Sequence, residues 1–360
     1  VFVVAKLIGS AEASFARGDG NGEAGPRGRL ADLAAHAGVS EATVSRVLND
    51  KPGVAASTRQ AVLTALDVLG YERPSKLKRN SAGLIGLVVP ELTNPVFPMF
   101  AQVIETQLAA GGFTPVLCTQ TPGGVHEDEY VQMLLARGVS GIVFVSGFHA
   151  DTRASVDRYT QLRDRGLPIA LVNGYRDGID ATFISHDDVA AMHLAVRHLR
   201  DLGHTRIGFA TGPSRYVPVQ RRVAGYRAAM ADVPGVDLDE LVSTTLFTIE
   251  GGAAAARTLV EAGATAVIAG SDVMALGVLR AATQLGLTVP GDLSVIGGDD
   301  VPFMSFIDPP LTTVRMDVNA MAEAAVTAVL EEIAGEKVEH REYLFEPELI
   351  LRRSTAPLAR

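Results

Sequence analysis

Between Leu30 and Asn49 the apolar positions recur with the period of a helix, break at one glycine, and resume. Leu30, Leu33, Ala34 and Ala37 fall on one face of a first helix, because residues three and four apart stack on the same side. Gly38 supplies the backbone freedom of a sharp turn, and Val39 is placed to plug the small core beneath it. Ser40 has the side chain of an N-cap, and Val44, Val47 and Leu48 make the inner stripe of a second helix. Glu41, Ala42, Ser45, Arg46 and Asn49 then fall outward, largely on one polar face. After a turn with Pro52 and Gly53 comes STRQAVLTALDVLGY, where Val62, Leu63, Leu66 and Leu69 predict a third amphipathic helix. Three short helices around one core account for residues 29–72. A helix, a tight turn and a second helix with a polar outer face have the geometry that enters the DNA major groove.

From Leu84 onward the pattern changes. Short apolar runs (LIGLVVP, FTPVLCT, GIVFVSG, IALVNG, RIGFATG, AVIAGS, LSVIGGDD) alternate with helical stretches such as FAQVIETQLAAGG and DVMALGVLRAATQLG. Buried strands alternating with helices predict parallel sheets covered on both faces, so the fold class is α/β, with a small all-α helix-turn-helix domain in front. The strands outnumber what one ordinary sheet needs, and two lobes with a cleft between them accommodate them. In such sheets ligands sit beyond the carboxyl ends of the strands. Polar residues recur at those ends: the segment Glu91 to Phe97, then Asn173, Ser271 with Asp272, and Asp299 with Asp300. Together they predict a cleft lined with hydrogen-bonding groups.

Charge sharpens the division. The chain of 360 residues carries a net charge of −9, which by itself argues against a DNA binder. Residues 1–80, however, hold 11 Lys and Arg against 8 Asp and Glu, while the remainder holds 21 against 33. The positive charge gathers at Arg73, Lys76, Lys78 and Arg79, a basic neck between a head and an acidic body, suited to phosphate contact at one end. Residues 73–83 read as a basic hinge and residues 1–28, Gly-rich from Gly18 to Gly28, as a disordered N-terminal extension. Gly20, Gly22 and Gly25 match G-x-G-x-x-G, but no strand leads into them, and Pro26 and Gly28 are expected to break any helix that follows. No run approaches the ~18 apolar residues of a membrane span, and VFVVA is too short for a signal peptide. One cysteine, Cys118, excludes an internal disulfide and fits a reducing cytoplasm. It reads as a buried structural thiol. His186, Asp187 and Asp188 read as cleft-rim and surface residues. His193 and His198 are off the i, i+4 spacing of a helical metal pair. No catalytic set, metal site or cofactor site emerges, which argues against an enzyme.

The motifs AGVSEATVSRVLN, GYERP, IGLVVPELTNPVF, HLRDLGHTRIGF, RRVAGYRAAM, SDVMALGVLRA and LSVIGGDD–PPLTTV, in this order, resemble the LacI/GalR family of transcription regulators from Arg29 to Arg353. The resemblance implies a three-helix DNA-binding head, a hinge, and a periplasmic-binding-protein-like core at residues 84–353. It places lobe 1 at about 84–185 and 317–341 and lobe 2 at about 186–316 and 342–353, with crossings near Ser185–Asp187, Thr312–Asp317 and Lys337–Glu342. It also implies a homodimer on a near-palindromic operator in double-stranded DNA, with a small effector, of sugar type, between the lobes.

Carried over position by position, Glu41, Ala42 and Arg46 read base edges, and Arg46 suits a bidentate contact to guanine. Ser45, Asn49, Thr58 and Arg59 take phosphate-contact positions, although Thr58 and Arg59 also fit a solvated helix start. Leu77 is the only apolar candidate for a minor-groove wedge. The other reading of Lys76, Leu77 and Lys78 is a flexible basic linker whose lysines touch phosphate. Arg29 and Ala55 stand where the family often has Thr and Ser at helix starts, so two caps worth ~1 kcal/mol each are expected to be missing. In the core, Arg222, Asp299, Ser271 and Asp272 map to polar pocket positions, Phe97 and Phe247 to flanking aromatic rings, and Asn173 to a further polar contact. Asp272 fits capping of a helix starting at Val273 equally well. The expected function is a ligand-controlled transcriptional repressor. The alternative, a solute-binding protein, explains the core alone.

Overall fold

The computed structural model describes residues 26–49, 51–71, 81–120 and 124–358. The chain divides into two units, residues 1–80 and 81–360. Residues 1–25 and the hinge candidates Lys76, Leu77 and Lys78 lie outside the described residues.

The first unit is a three-helix head of α1 (Pro26–Ala37), α2 (Glu41–Leu48) and α3 (Ala56–Val68). Leu33, Ala34, Val44, Val47, Val62, Ala65 and Leu66 form its buried core, and Leu30, Ala37, Val39, Leu48 and Leu63 pack against it. Gly38 takes φ +66° in the turn, a conformation that costs a side-chain-bearing residue energy. The Ser40 hydroxyl accepts from the Thr43 N–H at 3.2 Å, closing the cap of α2.

Two expectations change. Helix α1 begins at Pro26 rather than at position 29, because proline in the first helical position lacks only an N–H that has no intrahelical partner there. Pro26 and Gly28 therefore do not break a helix, and Arg29 is not its cap. Leu69, expected on the inner face, lies beyond the end of α3 and is 37% exposed. Ala55 does precede α3 without a side-chain cap.

The second unit holds two six-stranded sheets. The first lobe contains β1 (Leu84–Val89), α4 (Val96–Ala110), β2 (Thr114–Thr119), α5 (Glu127–Ala136), β3 (Gly141–Val145), α6 (Asp157–Asp164), β4 (Ile169–Val172) and β5 (Thr182–His186). The second contains α7 (Asp188–Asp201), β6 (Ile207–Thr211), α8 (Val217–Met230), β7 (Val242–Thr244), α9 (Ile249–Glu261), β8 (Ala266–Ala269), α10 (Asp272–Gln284), β9 (Ser294–Asp299) and β10 (Thr312–Arg315). The chain then returns to the first lobe with α11 (Val318–Ile333) and β11 (Glu342–Phe345), and ends in the second with β12 (Glu348–Ile350).

Strand order is β11-β5-β4-β3-β1-β2 in one sheet and β12-β10-β9-β8-β6-β7 in the other. Every pairing is parallel except β12 against β10. The strands are near-continuous apolar runs because helices cover both faces of each sheet.

The chain crosses between lobes after His186, after Arg315 and at Glu346–Pro347. The third crossing is nine residues later than the expected start at Lys337, since β11 pairs with β5 and so residues 342–345 belong to the first lobe. The Lys-Glu-rich turn after α11 resembles a linker in composition, but strand pairing decides membership. Cys118 is buried in β2, and burial pushes its thiol up to about 11, so it stays protonated and unreactive. Among the described residues, no helix is long and apolar enough to cross a membrane.

Candidate functional site

On the head, α2 leaves Glu41, Ala42, Arg46 and Asn49 exposed, with Ser45 half-buried. Two of these side chains are engaged locally. Arg46 Nη2 donates to the Pro52 carbonyl at 2.8 Å, and Asn49 Nδ2 donates to the Ser45 carbonyl at 2.8 Å. Arg59 Nη2 donates to the Lys51 carbonyl at 3.3 Å, so two guanidinium groups grip the turn between α2 and α3 from either side. Gly53 in that turn has φ +87°, and a Cβ there would come within 3.1 Å of Arg46 Nη2. Arg46 therefore leaves its helix with a preset direction while keeping further N–H groups for a base or phosphate. Thr58 is half-buried in the first turn of α3.

In the second unit, a cavity of about 190 Å³ lies between the lobes at the carboxyl ends of both sets of strands. Phe97, Asn173, Arg222, Phe247, Ser271 and Asp299 all line it. Asn94, within the predicted segment Glu91 to Phe97, lines it too, while the sequence reading missed Ser146, Tyr216 and Met316 of its wall.

Among the described residues, the non-glycine positions with positive φ are Ser146 (47°), Asn173 (63°), Asp299 (135°) and Asp300 (59°), all at strand ends. Three of these four face the cavity, which is where strained backbone tends to collect around ligands. The Asn173 amide donates to Ser146 Oγ at 3.3 Å and links two of them.

Arg222 anchors the polar side. Its Nε donates to Asp188 Oδ1 and its Nη1 to the Gly270 carbonyl, each at 2.6 Å. Burial is the largest influence on the Asp188 carboxyl and raises it, but the Arg222 charge and hydrogen bond, together with His186 beside it, outweigh burial and hold the group below its ordinary value. Asp188 is thus a buried partner of the site and not a surface residue, and His186 beside it is buried as well. A usable signal was present in the sequence. Asp187 and Asp188 both open α7, and one carboxylate suffices to cap it. Asp187 does so, accepting from the Ala190 N–H at 2.9 Å.

Asp299 Oδ2 is buried without a hydrogen-bond partner among the described residues. Burial, reinforced by the Asp272 charge, raises the Asp299 carboxyl well above the usual range.

Asp272 does not line the cavity. It accepts from the Val301 N–H at 2.8 Å and from Thr313 Oγ1 at 2.7 Å, inside the second lobe. A Cβ on Gly297 would sit 2.3 Å from its Oδ1, which explains the first glycine of the VIGGDD run. Nor does Asp272 cap the helix. Ser271 Oγ accepts from the Met274 N–H at 3.2 Å, and α10 starts at Asp272. Phe247 reaches the wall only because Gly212 has no side chain, as a Cβ there would lie 2.1 Å from Phe247 Cε2.

Two family descriptions match this chain: bacterial regulatory proteins of the lacI family over residues 29–74, and the periplasmic binding protein-like domain over residues 196–355. The HTH-type transcriptional regulator MalR of Streptomyces coelicolor is 59% identical over 332 residues, which is 91% of this chain and 96% of that protein. Among solved structures, a CelR–cellobiose complex aligns with TM-score 0.68 and 29% identity over 90% of this chain and 99% of that one. A lac repressor dimer bound to operator and the anti-inducer ONPF aligns with TM-score 0.65 and 27% identity over 91% of this chain and 98% of that one. A solute-binding protein would leave the lacI-type head unexplained. With a helix-turn-helix head and a two-lobed cleft on one chain, matched by close relatives along nearly its whole length, the protein belongs to the LacI family of bacterial transcriptional regulators.

Proposed function

We propose that this chain is a repressor whose operator affinity is set by a small carbohydrate-like effector held in the interlobe cavity. The observation that carries the reading is the buried, unpartnered Asp299 Oδ2 at the cavity wall. Such an orphan costs about 1–3 kcal/mol, and a ligand hydroxyl removes that cost. Arg222, tied to Asp188 and Gly270, presents its remaining N–H groups to a second hydroxyl, and planar groups of this kind suit vicinal diols. Phe97 and Phe247 offer apolar faces to sugar C–H groups. Ser271 offers only a short side chain already used as a cap, so polar recognition falls mainly on Asn173, Arg222 and Asp299. The cellobiose carried by the aligned CelR structure supports this ligand class.

On the head, Arg46 and Glu41 read base edges, and Ala42 contributes at most a thymine methyl contact. Ser45, Asn49, Thr58 and Arg59 orient the head on phosphates, Lys76 and Lys78 add phosphate contacts, and Leu77 is the candidate minor-groove wedge. Two copies read two half-sites, in keeping with the operator-bound lac repressor dimer. Closure of the lobes around the effector shifts one lobe against its dimer mate and changes the spacing of the necks, a coupling between two sites through one two-state element. The family regulates transcription and is not a family of enzymes.

The test is fluorescence anisotropy of the full chain on promoter fragments flanking its own gene, with and without a panel of mono- and disaccharides. Salt-sensitive, sequence-selective binding that one saccharide changes is expected. Operator affinity indifferent to every saccharide that calorimetry shows to bind would overturn the coupling.

A further inference from the structure

The segment leading into α8 lies across the cleft and touches the first lobe at both ends. At its start, Arg215 Nε meets Asp151 Oδ2 at 2.8 Å. The Arg215 carbonyl accepts from both the N–H and the Oγ1 of Thr152, each at 2.8 Å. Asp151 and Tyr216 form an antiparallel bridge there. Further along α8, Arg221 makes a bidentate pair with Glu342 of β11, at 2.6 and 3.0 Å. Between these anchors, Tyr216, Pro218, Val219 and Arg222 line the cavity.

The Asp151 side of the contact is braced from behind. Arg176 Nη1 donates to the Asp151 carbonyl at 2.6 Å, and Asp151 Oδ1 accepts from the Arg153 N–H at 2.9 Å. One turn upstream, the Phe148 N–H donates to Glu127 Oε2 at 2.9 Å and the His149 N–H to Tyr159 Oη at 2.8 Å. The Arg215 side is braced too. Its Nη2 donates to Tyr216 Oη at 2.8 Å, and the guanidinium lies 4.6 Å from the centre of the Tyr216 ring. Gly174 of the first lobe adds room, since a Cβ there would meet Ala150 at 2.9 Å and Val217 at 3.7 Å.

We infer that Asp151 and Arg215 form a clasp across the cleft that holds the lobes closed and positions Tyr216 in the cavity wall. The inference rests on the effector reading of the cavity for its consequence, which is that residues beyond the ligand's reach help set effector affinity. A ligand that binds the closed form is weakened in proportion to the closed fraction. The Asp151 and Arg215 side chains are 16% and 36% exposed, so solvent screening limits the effect of neutralising one of them to about two- to tenfold in affinity.

The clasp is tested directly by hydrogen exchange of the full chain, read at the Thr152 amide, whose acceptor lies in the other lobe. Protection in the wild type is expected. Asp151→Asn, which keeps the acceptor for Arg153, and Arg215→Gln should each speed exchange at Thr152 and in residues 214–217 by about tenfold, leaving the protection of β3 and β6 unchanged. The charge swap Asp151→Arg with Arg215→Asp should restore part of it, which a simple loss of packing would not. An unprotected Thr152 amide in the wild type, or equal exchange in wild type and both single variants, overturns the clasp. The readout needs no effector, so either result leaves the proposed ligand class to be decided by its own assay.

Discussion

Gly212→Ala isolates the aromatic wall of the cavity by steric means alone. The glycine follows β6, and its φ lies outside the positive region, so alanine brings no backbone strain there. The added Cβ would lie 2.1, 2.4 and 2.5 Å from three atoms of the Phe247 ring. Ordinary contact begins near 3.4 Å, so the ring must retreat by more than 1 Å. The open direction is the cavity of about 190 Å³.

Overpacking of this kind costs about 1–3 kcal/mol, and a ring free to swing into open space keeps the stability cost near the lower end. The larger loss falls on the ligand, which forfeits an aromatic face and part of its space, about 1.5–3 kcal/mol. At 1.4 kcal/mol per decade this means roughly 10- to 100-fold weaker effector binding. Titration calorimetry with the effector identified on the promoter fragments measures it, beside a thermal melt. Adding Phe247→Leu to Gly212→Ala should recover melting temperature but not affinity. Wild-type affinity for Gly212→Ala in a protein of unchanged melting temperature would refute the account of the wall.

Three further outcomes are expected. Arg46→Ala should cost about 1–3 kcal/mol of operator discrimination and much less non-specific binding, and equal losses on operator and random DNA would contradict its base-reading role. Ala55→Ser, at a residue with extended cap geometry and no side-chain cap, should stabilise the head by about 1 kcal/mol, read as a higher helix-melting temperature by circular dichroism. Burial pushes His149 from 6.5 down to about 3, so below pH 6.5 the unfolded chain takes up a proton that the folded core refuses. Stability from this group is complete above pH 6.5 and is lost as pH falls toward 3, by about 2 kcal/mol at pH 5. His149→Gln should flatten that difference in urea unfolding of the core at pH 5 and 7.5, and an unchanged slope would count against it.

The sequence by itself determined the three head helices and the buried central strands of the core, in their order, but not the edge strands β7, β11 and β12. Periodicity is a local property: the stripe Val44–Val47 and the runs around Ile142 and Ile268 show their faces without knowledge of what covers them. The Ser40 cap, the missing cap at Ala55 and the strand-end positions of Asn173 and Asp299 are local in the same sense. Tertiary structure alone decided which polar groups meet. Asp187 and Asp188 are indistinguishable as neighbouring acids, yet one caps α7 and the other is buried on Arg222, which lies 34 residues away. Ser271 and Asp272 divide in the same manner between cap and scaffold, because Thr313 and Val301 converge on one of them only after β9 and β10 pair. The third crossing moved to Glu346–Pro347 for a related reason, since strand membership is set by hydrogen bonding to β5 and not by composition. The clasp between Asp151 and Arg215 joins loops 64 residues apart, and no pattern along the chain carries that distance.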